Sequence, residues 1–539
     1  MKKLFTIFII AAVLCITGCK QASTTDDNNL TKTIKISKDG EVYLIKLNTT
    51  EKTCYEDDTG YVKKVARSAV EENNFFYGND YYLHEMYKKI IDCIKNDNSR
   101  SANNLSHSAD DPLIDVYNPT ETFVSFINNE PIYDKDKNLI GVDGIPGNVN
   151  ADCIYNGEHC CIYVDKKNSK IIQDLIDKGE DITIPDYELL GTKFDSFYMD
   201  VISILGNPYY DEYNPNFFIP CNTKIRILVS DLYGDAEDDS ISGVVGFFKP
   251  ADLLNQKYLD DNYNGNLTSN NKAYVTSNKC EMFYVDTVFL AKFKEIVYST
   301  LIHEFNHMIN FVVKSVNSSG RYACDTWFTE MLAMTTEDMF QNYLGINDEN
   351  SPKARLSTFG FNYCYGFKNW NNQNVDQLSM YANTYAFGAF LARNFGGIEL
   401  IKEIAQSSYV DEQAITKAIQ KLNPGKTYTD EVTEQTKPWD FTFALRKFPL
   451  CVIYTDYGYE WSLNNKTGFT NESKIGFSEI NLKQRVEEYQ LPVYFYSDKK
   501  GCVNILAKGF TVHHVGTNIT SFTLTVPKTS KLEYYYVIK

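Results

Sequence analysis

Between residues 19 and 112 the apolar positions follow the period of a strand and then that of a helix. Ile34 and Ile36 alternate with lysines, Lys38-Asp39-Gly40 has turn chemistry, and Val42 to Ile45 is apolar, a pattern that predicts a β-hairpin. Leu83, Met86, Tyr87, Ile90 and Ile94 recur at helical spacing and predict a short amphipathic helix. Lys20 to Lys32 is a polar tether, and Asn96 to Pro112, rich in Asn, Ser and Asp without periodicity, reads as a linker. From 113 to 455 short strand-like runs mix with strongly periodic helices. Within that stretch Val288, Phe289, Ile296, Val297, Leu301, Ile302, Phe305 and Ile309 predict a mostly buried helix. Val493 to Tyr496, Val503 to Ala507, Ile519 to Val526 and Tyr534 to Ile538 read as strands, which makes 456–539 a small C-terminal β domain. The expected class is α+β, with β-rich segments flanking a central domain at 113–455 and a small N-terminal α/β region with its tether at 19–112.

The first residues have a different pattern. Lys2 and Lys3 precede Leu4 to Ile16, a run without charge that is too short to span a bilayer and has the length of a secretory signal. It ends in Ile16-Thr17-Gly18-Cys19, which resembles the bacterial lipobox, where a cysteine is diacylated and becomes the new N-terminus. Residues 1–18 are therefore expected to be a lipoprotein signal peptide and Cys19 the lipidation site. Two acyl chains anchor a protein stably, so the mature chain is expected outside the cytoplasm on a bacterial membrane.

Composition narrows the function. A net charge of -17 argues against nucleic acid as a partner. Of 13 cysteines, Cys15 leaves with the signal and Cys19 takes lipid, leaving an odd number, so not all can pair internally. None form Cys-x-x-Cys, which counts against a thiolate zinc site; some disulfides remain expected in an oxidising compartment.

The chemistry concentrates in Thr300-Leu301-Ile302-His303-Glu304-Phe305-Asn306-His307-Met308-Ile309. Helix positions four apart share a face, so His303 and His307 can grip one metal ion, with Glu304 close enough to reach a water on that ion. With 7 His in 539 residues, chance gives this pattern in about 0.006 chains of this composition. A catalytic zinc needs a third protein ligand. Asn310 and Val313 stand where the extended metzincin pattern requires Gly and His, so that class is excluded. A carboxylate from a following helix remains, and Asp325 to Asp338 supplies Glu330, with Glu337 and Asp338 as rivals further along. Ser318-Ser319-Gly320 breaks the chain between the two helices, and Asp325 or Thr326 can cap the second.

His303 to Phe311 followed by Trp327-Phe328-Thr329-Glu330-Met331-Leu332-Ala333-Met334 resembles the hyicolysin family of neutral zinc metallopeptidases, within the glutamate-zincin class that includes thermolysin. The likeness extends to Phe194-Asp195-Ser196, Gly243 to Phe248, Phe283 to Asp286, Tyr381 to Gly388 and Arg393 to Gly397. It implies a zincin-type catalytic domain: a short mixed sheet, an active-site helix and a following helical subdomain. It also implies one catalytic Zn2+ held by His303, His307 and Glu330, with Glu304 as the catalytic carboxylate. One departure is Met334, where thermolysin-like enzymes carry an Asp that orients a ligand histidine.

The expected activity is zinc-dependent endopeptidase cleavage of extracytoplasmic proteins or peptides. Zinc would activate a water, and Glu304 would take its proton and deliver it to the leaving amine. Tyr385, with Tyr381 second, is the candidate donor to the oxyanion. Gly243 to Phe248 is the candidate edge strand for an extended peptide. The alternative is a surface-anchored adhesion or scaffolding lipoprotein with an inactive or incidental peptidase domain. Asp134 to Asn138 and Asp235 to Asp239 offer oxygens for Ca2+ but match no EF-hand and read more simply as solvated turns. His513 and His514 would face opposite sides of a strand and are expected at the surface.

Overall fold

The structure is a computed structural model. It describes residues 29–56, 118–133, 494–495, 503–539 except 528–529, a few positions between 8 and 106, and 139–485. The last stretch has breaks at 214–215, 222–223, 235–242, 264–272, 318–322, 371–376, 431–433, 456–458, 466 and 468–473. The signal segment apart from residues 8–10, Cys19, the two acidic clusters, Ser318 to Gly320, and nearly all of the predicted 83–94 helix and 96–112 linker lie outside the described residues.

The central domain is built on a six-stranded mixed sheet. In chain order its strands are β1 (Thr120–Tyr133), β2 (Leu139–Asn156), β3 (Cys160–Asp165), β4 (Ile225–Ser230), β5 (Gly246–Phe248) and β6 (Met282–Asp286), arranged β5-β6-β4-β3-β2-β1. β3, β4 and β6 run parallel and are buried along their whole length, as strands covered on both faces must be. β5 is antiparallel to β6 and forms one edge of the sheet.

Helix α1 (Tyr187–Leu205) starts where the Asp186 carboxylate accepts the N–H of Leu189. It buries Leu190, Phe194, Phe197, Tyr198 and Val201 at helical spacing. Phe194 reaches Phe283 of β6 at 5.9 Å and Phe305 at 5.1 Å. Phe305 lies on α2 (Lys294–Asn310), so α2 is wedged between α1 and the sheet. The predicted continuous helix is in fact two: Thr287–Lys292, capped by Asp286, and then α2, with Phe293 at φ -138, ψ 55 breaking the spiral between them. A π-turn, Phe311–Asn317, prolongs α2, and there the buried Lys314 donates to the carbonyls of Ile404, Ser407 and Tyr409. α3 (Thr326–Leu344) begins after Asp325 and ends at left-handed Gly345, φ 70. α4 (Gln377–Phe395) packs on α3 so closely that a Cβ on Gly388 would lie 2.1 Å from Thr335 Oγ1.

This mixed α+β architecture, with sheet, metal-motif helix and helical half in sequence, is the one expected. The chain ends are arranged differently. Asn29–Lys35 and Glu41–Leu47 do not form a hairpin with each other. The first pairs with Ser521–Pro527, and the second runs between Phe510–Thr517 and Glu533–Ile538. Strands from the two terminal segments thus share one sheet. Val42, Leu44, Tyr534 and Tyr536 pack with Ile34, Leu524 and Val526 on one face, while Ile45, Leu47, Phe510, Val512, Tyr535 and Val537 join the central core on the other. The chain bends at Lys38 and Gly40, but each strand takes its ladder, and an apolar face to pack on, from the far end of the sequence.

His513, expected at the surface, is fully buried beside Thr511, and burial, helped by Lys46, pushes it down to about 3. His514 is half-buried against Tyr43. Cys153, Cys160, Cys161, Cys221, Cys280, Cys324, Cys364 and Cys451 form no disulfide among the described residues, and no described helix is long and apolar enough to cross a membrane.

Candidate metal centre

α2 presents His303 and His307 one turn apart with ring centroids 4.6 Å apart, and α3 brings Glu330 up to both. The two Nε2 atoms are 2.9 Å apart, His303 Nε2 lies 3.3 Å from Glu330 Oε2, and His307 Nε2 lies 3.3 Å from Glu330 Oε1. One ligand atom from each residue can be chosen so that all lie within 4.8 Å of one another. Tetrahedral zinc with bonds of ~2.0–2.2 Å separates its ligands by ~3.3–3.6 Å, so this donor set fits such an ion with little movement. His303 and Glu330 are sealed, whereas 14% of the His307 side chain is exposed, so the cluster opens on the His307 side.

Glu304 points into the same region from the next position on α2. It is 1% exposed, and its Oε1 has no hydrogen-bond partner among the described residues, while its carboxylate takes the N–H of Phe248 on β5. β5 can lie this close because residue 246 is glycine: a Cβ there would meet Thr300 Cγ2 and Tyr284 O at 2.7 Å and Glu304 Cγ at 3.4 Å. The edge strand and the carboxylate are therefore in direct contact.

Negative charge exceeds positive in this interior. Burial first, then Glu330 and Glu337, push Glu304 up to about 8, with His303 opposing. For His303, burial pulls down, but Glu330 and Glu337 outweigh it and raise the imidazole well above its ordinary range. Three buried carboxylates around two imidazoles are a cavity that a divalent cation would neutralise.

Residues 200–444 match the peptidase M30 family. The chain is also 31% identical over 208 residues to the neutral metalloprotease ShpI of Staphylococcus hyicus, a match covering 37% of this chain and 42% of that protein. The matched stretch lies within the expected 113–455 span; it starts later than the likeness read from Phe194 and continues past Gly397. It contains α2, α3 and α4 and the edge strand β5, but neither β1 and β2 nor the terminal β unit.

Within the matched stretch the structure brings His303, His307 and Glu330 together, and Glu304 feels the charges of His303 and Glu330. Tyr385 lies on α4, where it feels the charges of Asp338, Arg393 and Glu337. This side chain is fully buried on α4, and burial together with Asp338 raises its phenol well above the usual range. No hydrogen bond, ring contact or ion pair among the described residues joins it to the histidines or Glu330. Tyr381 is likewise buried, under the Arg355 guanidinium and edge-on to Trp370. The rival ligands also have other partners: Asp338 pairs with Arg393, and Glu337 lies behind His303, at Nδ1 rather than Nε2. The sequence reading left the partner of the ligand histidines open, because the position that holds it in thermolysin-like enzymes is occupied by Met334.

Proposed function

We propose that this chain is a zinc-dependent endopeptidase that hydrolyses peptide bonds of proteins outside the cytoplasm, held to a bacterial membrane through lipid on Cys19. The observation that carries the reading is three converging ligand atoms, with a buried Glu304 that feels the charges of His303 and Glu330 and whose Oε1 has no partner among the described residues. His303, His307 and Glu330 would hold one zinc ion. When bound, that ion supplies a Lewis acid that polarises the scissile carbonyl and acidifies the attacking water. Glu304 Oε1 accepts a proton from that water and returns it to the amine as the bond breaks, and its raised proton affinity suits both steps. β5, at the sheet edge and touching Glu304 through Phe248, is placed to pair with an extended substrate and align its carbonyl with the carboxylate. The neutral metalloprotease name of the Staphylococcus relative supports the same class.

The test is casein cleavage by the purified chain with and without a zinc chelator, alongside Glu304→Gln. Chelation should abolish cleavage and zinc restore it, and the variant should lose about 10²–10⁴-fold in kcat with its fold intact. Chelator-resistant cleavage, or full activity in Glu304→Gln, rejects the assignment. For the anchor, Cys19→Ala should move the protein from the membrane to the soluble fraction; unchanged membrane attachment rejects lipidation.

A further inference from the structure

We infer that Glu337 is a positioning residue that fixes His303 as a metal ligand, and that Ser299 holds Glu337 in turn. The inference rests on the metal centre proposed above. His303 Nδ1 lies 2.7 Å from Glu337 Oε1, and the other oxygen of the same carboxylate accepts the Ser299 hydroxyl. Both ends of this chain are sealed, with Ser299 2% and Glu337 1% exposed. An imidazole carries one proton when neutral. A carboxylate at Nδ1 keeps that proton there and leaves the Nε2 lone pair aimed at His307 and Glu330, the form a metal requires.

The placement follows from the helix geometry. α2 and α3 run antiparallel: His307 meets Glu330, Asn306 donates to Thr336, and Ser299 and His303 meet Glu337. Nδ1 of His303 thus faces the Ser299 end of α2, and the nearest acidic position on α3 in that direction is 337, not 334. Seven residues after Glu330 is two turns, still on the same helix face. Met334, one turn after Glu330, is fully buried and carries no charge. The orienting carboxylate has moved one turn along α3, and Ser299, one turn before His303, takes its second oxygen.

The experiment measures zinc affinity of the full chain by chelator competition, the visible spectrum of the Co2+-substituted protein, and the unfolding midpoint of the zinc-free form. Glu337→Gln keeps an acceptor at Nδ1 but removes the charge; Glu337→Ala removes both. Zinc affinity should fall about 10–100-fold in these variants, with shifted Co2+ bands and a kcat loss larger than any change in KM. Ser299→Ala should weaken zinc in the same direction by less. Asp338→Asn is the control for a purely structural effect: it should lower the unfolding midpoint and leave zinc affinity unchanged. Wild-type affinity and an unchanged Co2+ spectrum in both Glu337 variants overturn the inference while leaving the metal centre intact. Failure of the wild type itself to bind zinc overturns the centre instead. Should the Gln variant not fold, Glu337→Asp decides: a tenfold loss supports the role, and retained affinity overturns it.

Discussion

Glu337 and Asp338 are neighbours on α3, each about 1% exposed, and the regions they face differ in charge balance. Asp338 meets Arg393 through two hydrogen bonds of 2.8 and 3.2 Å, with Lys353 at 3.7 Å and the same guanidinium donating onward to Ser478 O. Two cations surround one carboxylate, and although burial pushes the other way, they hold Asp338 below its usual range. On the other side, Glu304, Glu330 and Glu337 crowd two histidines with no lysine or arginine bridged to any of them among the ion pairs described. A buried carboxylate with its own cation is scaffold. Around the histidines carboxylates outnumber lysines and arginines in the ion pairs described, and that asymmetry separates the face that holds the helices together from the face that would do chemistry.

The sharpest way to break this comparison is Asp338→Asn. Removing the charge strands Arg393 in the interior, at an expected cost of about 3–5 kcal/mol, equal in zinc-free and zinc-loaded protein. Denaturant unfolding of both forms measures it. A loss under about 1 kcal/mol would show that the pair is not what secures α3 to α4.

A somewhat smaller effect concerns pH, and the two faces should respond with opposite sign. Glu304 is raised in the folded state, so its contribution is most favourable below the unfolded carboxylate value and is lost as pH rises toward 8. His303, also raised, likewise contributes below the ordinary imidazole value and loses that contribution as pH rises through its folded value. Asp338, lowered, stabilises above the unfolded value and loses that contribution as pH falls through its folded one. Zinc-free protein should therefore lose stability between about pH 5 and 8, on the order of 3 kcal/mol. Glu304→Gln should flatten part of that slope and zinc should remove it. A slope identical with and without zinc would mean the surplus charge is not what the ion relieves.

The same contrast explains what was legible in the sequence. His303, Glu304 and His307 follow from helical spacing alone, and Glu330 was reachable by counting one helix back from the motif. Glu337 was visible only as a rival ligand. Positions 334 and 337 share a face with 330, and only the antiparallel offset of α2 against α3 decides which one meets Nδ1. The six-stranded sheet left a partial trace in β3, β4 and β6, whose mostly apolar runs, interrupted by Arg226 and closed by Asp165, Ser230 and Asp286, suit strands covered on both faces. The terminal unit did not. Glu41–Leu47 pairs with strands more than 460 residues away, and nothing in a local pattern distinguishes that partner from the adjacent Asn29–Lys35. Phe510–Thr517 escaped for a related reason, since His513 and His514 interrupt the apolar pattern although the first is buried.

Tyr385 sharpens the comparison at the smallest scale. As an oxyanion donor it would belong to the chemical face, and its removal would cost about 10²–10³-fold in kcat. Its strongest charged neighbours, Asp338 and Arg393, favour the other face, although Glu337 acts on it too. The phenol lies against Asp338, and one turn further along α4, Gly388 is pressed onto Thr335 and Met331, which fixes the helix and leaves the ring little freedom to swing toward His307. Tyr385→Phe should therefore lower stability by about 0.5–1.5 kcal/mol through the lost contact with Asp338, with kcat within about threefold of wild type. The decisive measurement is the split between the two. A large kcat loss at unchanged stability would move Tyr385 to the metal side of α3 and require the helical half to close over bound substrate, whereas the stability loss alone leaves the oxyanion donor to be sought near the open His307 edge.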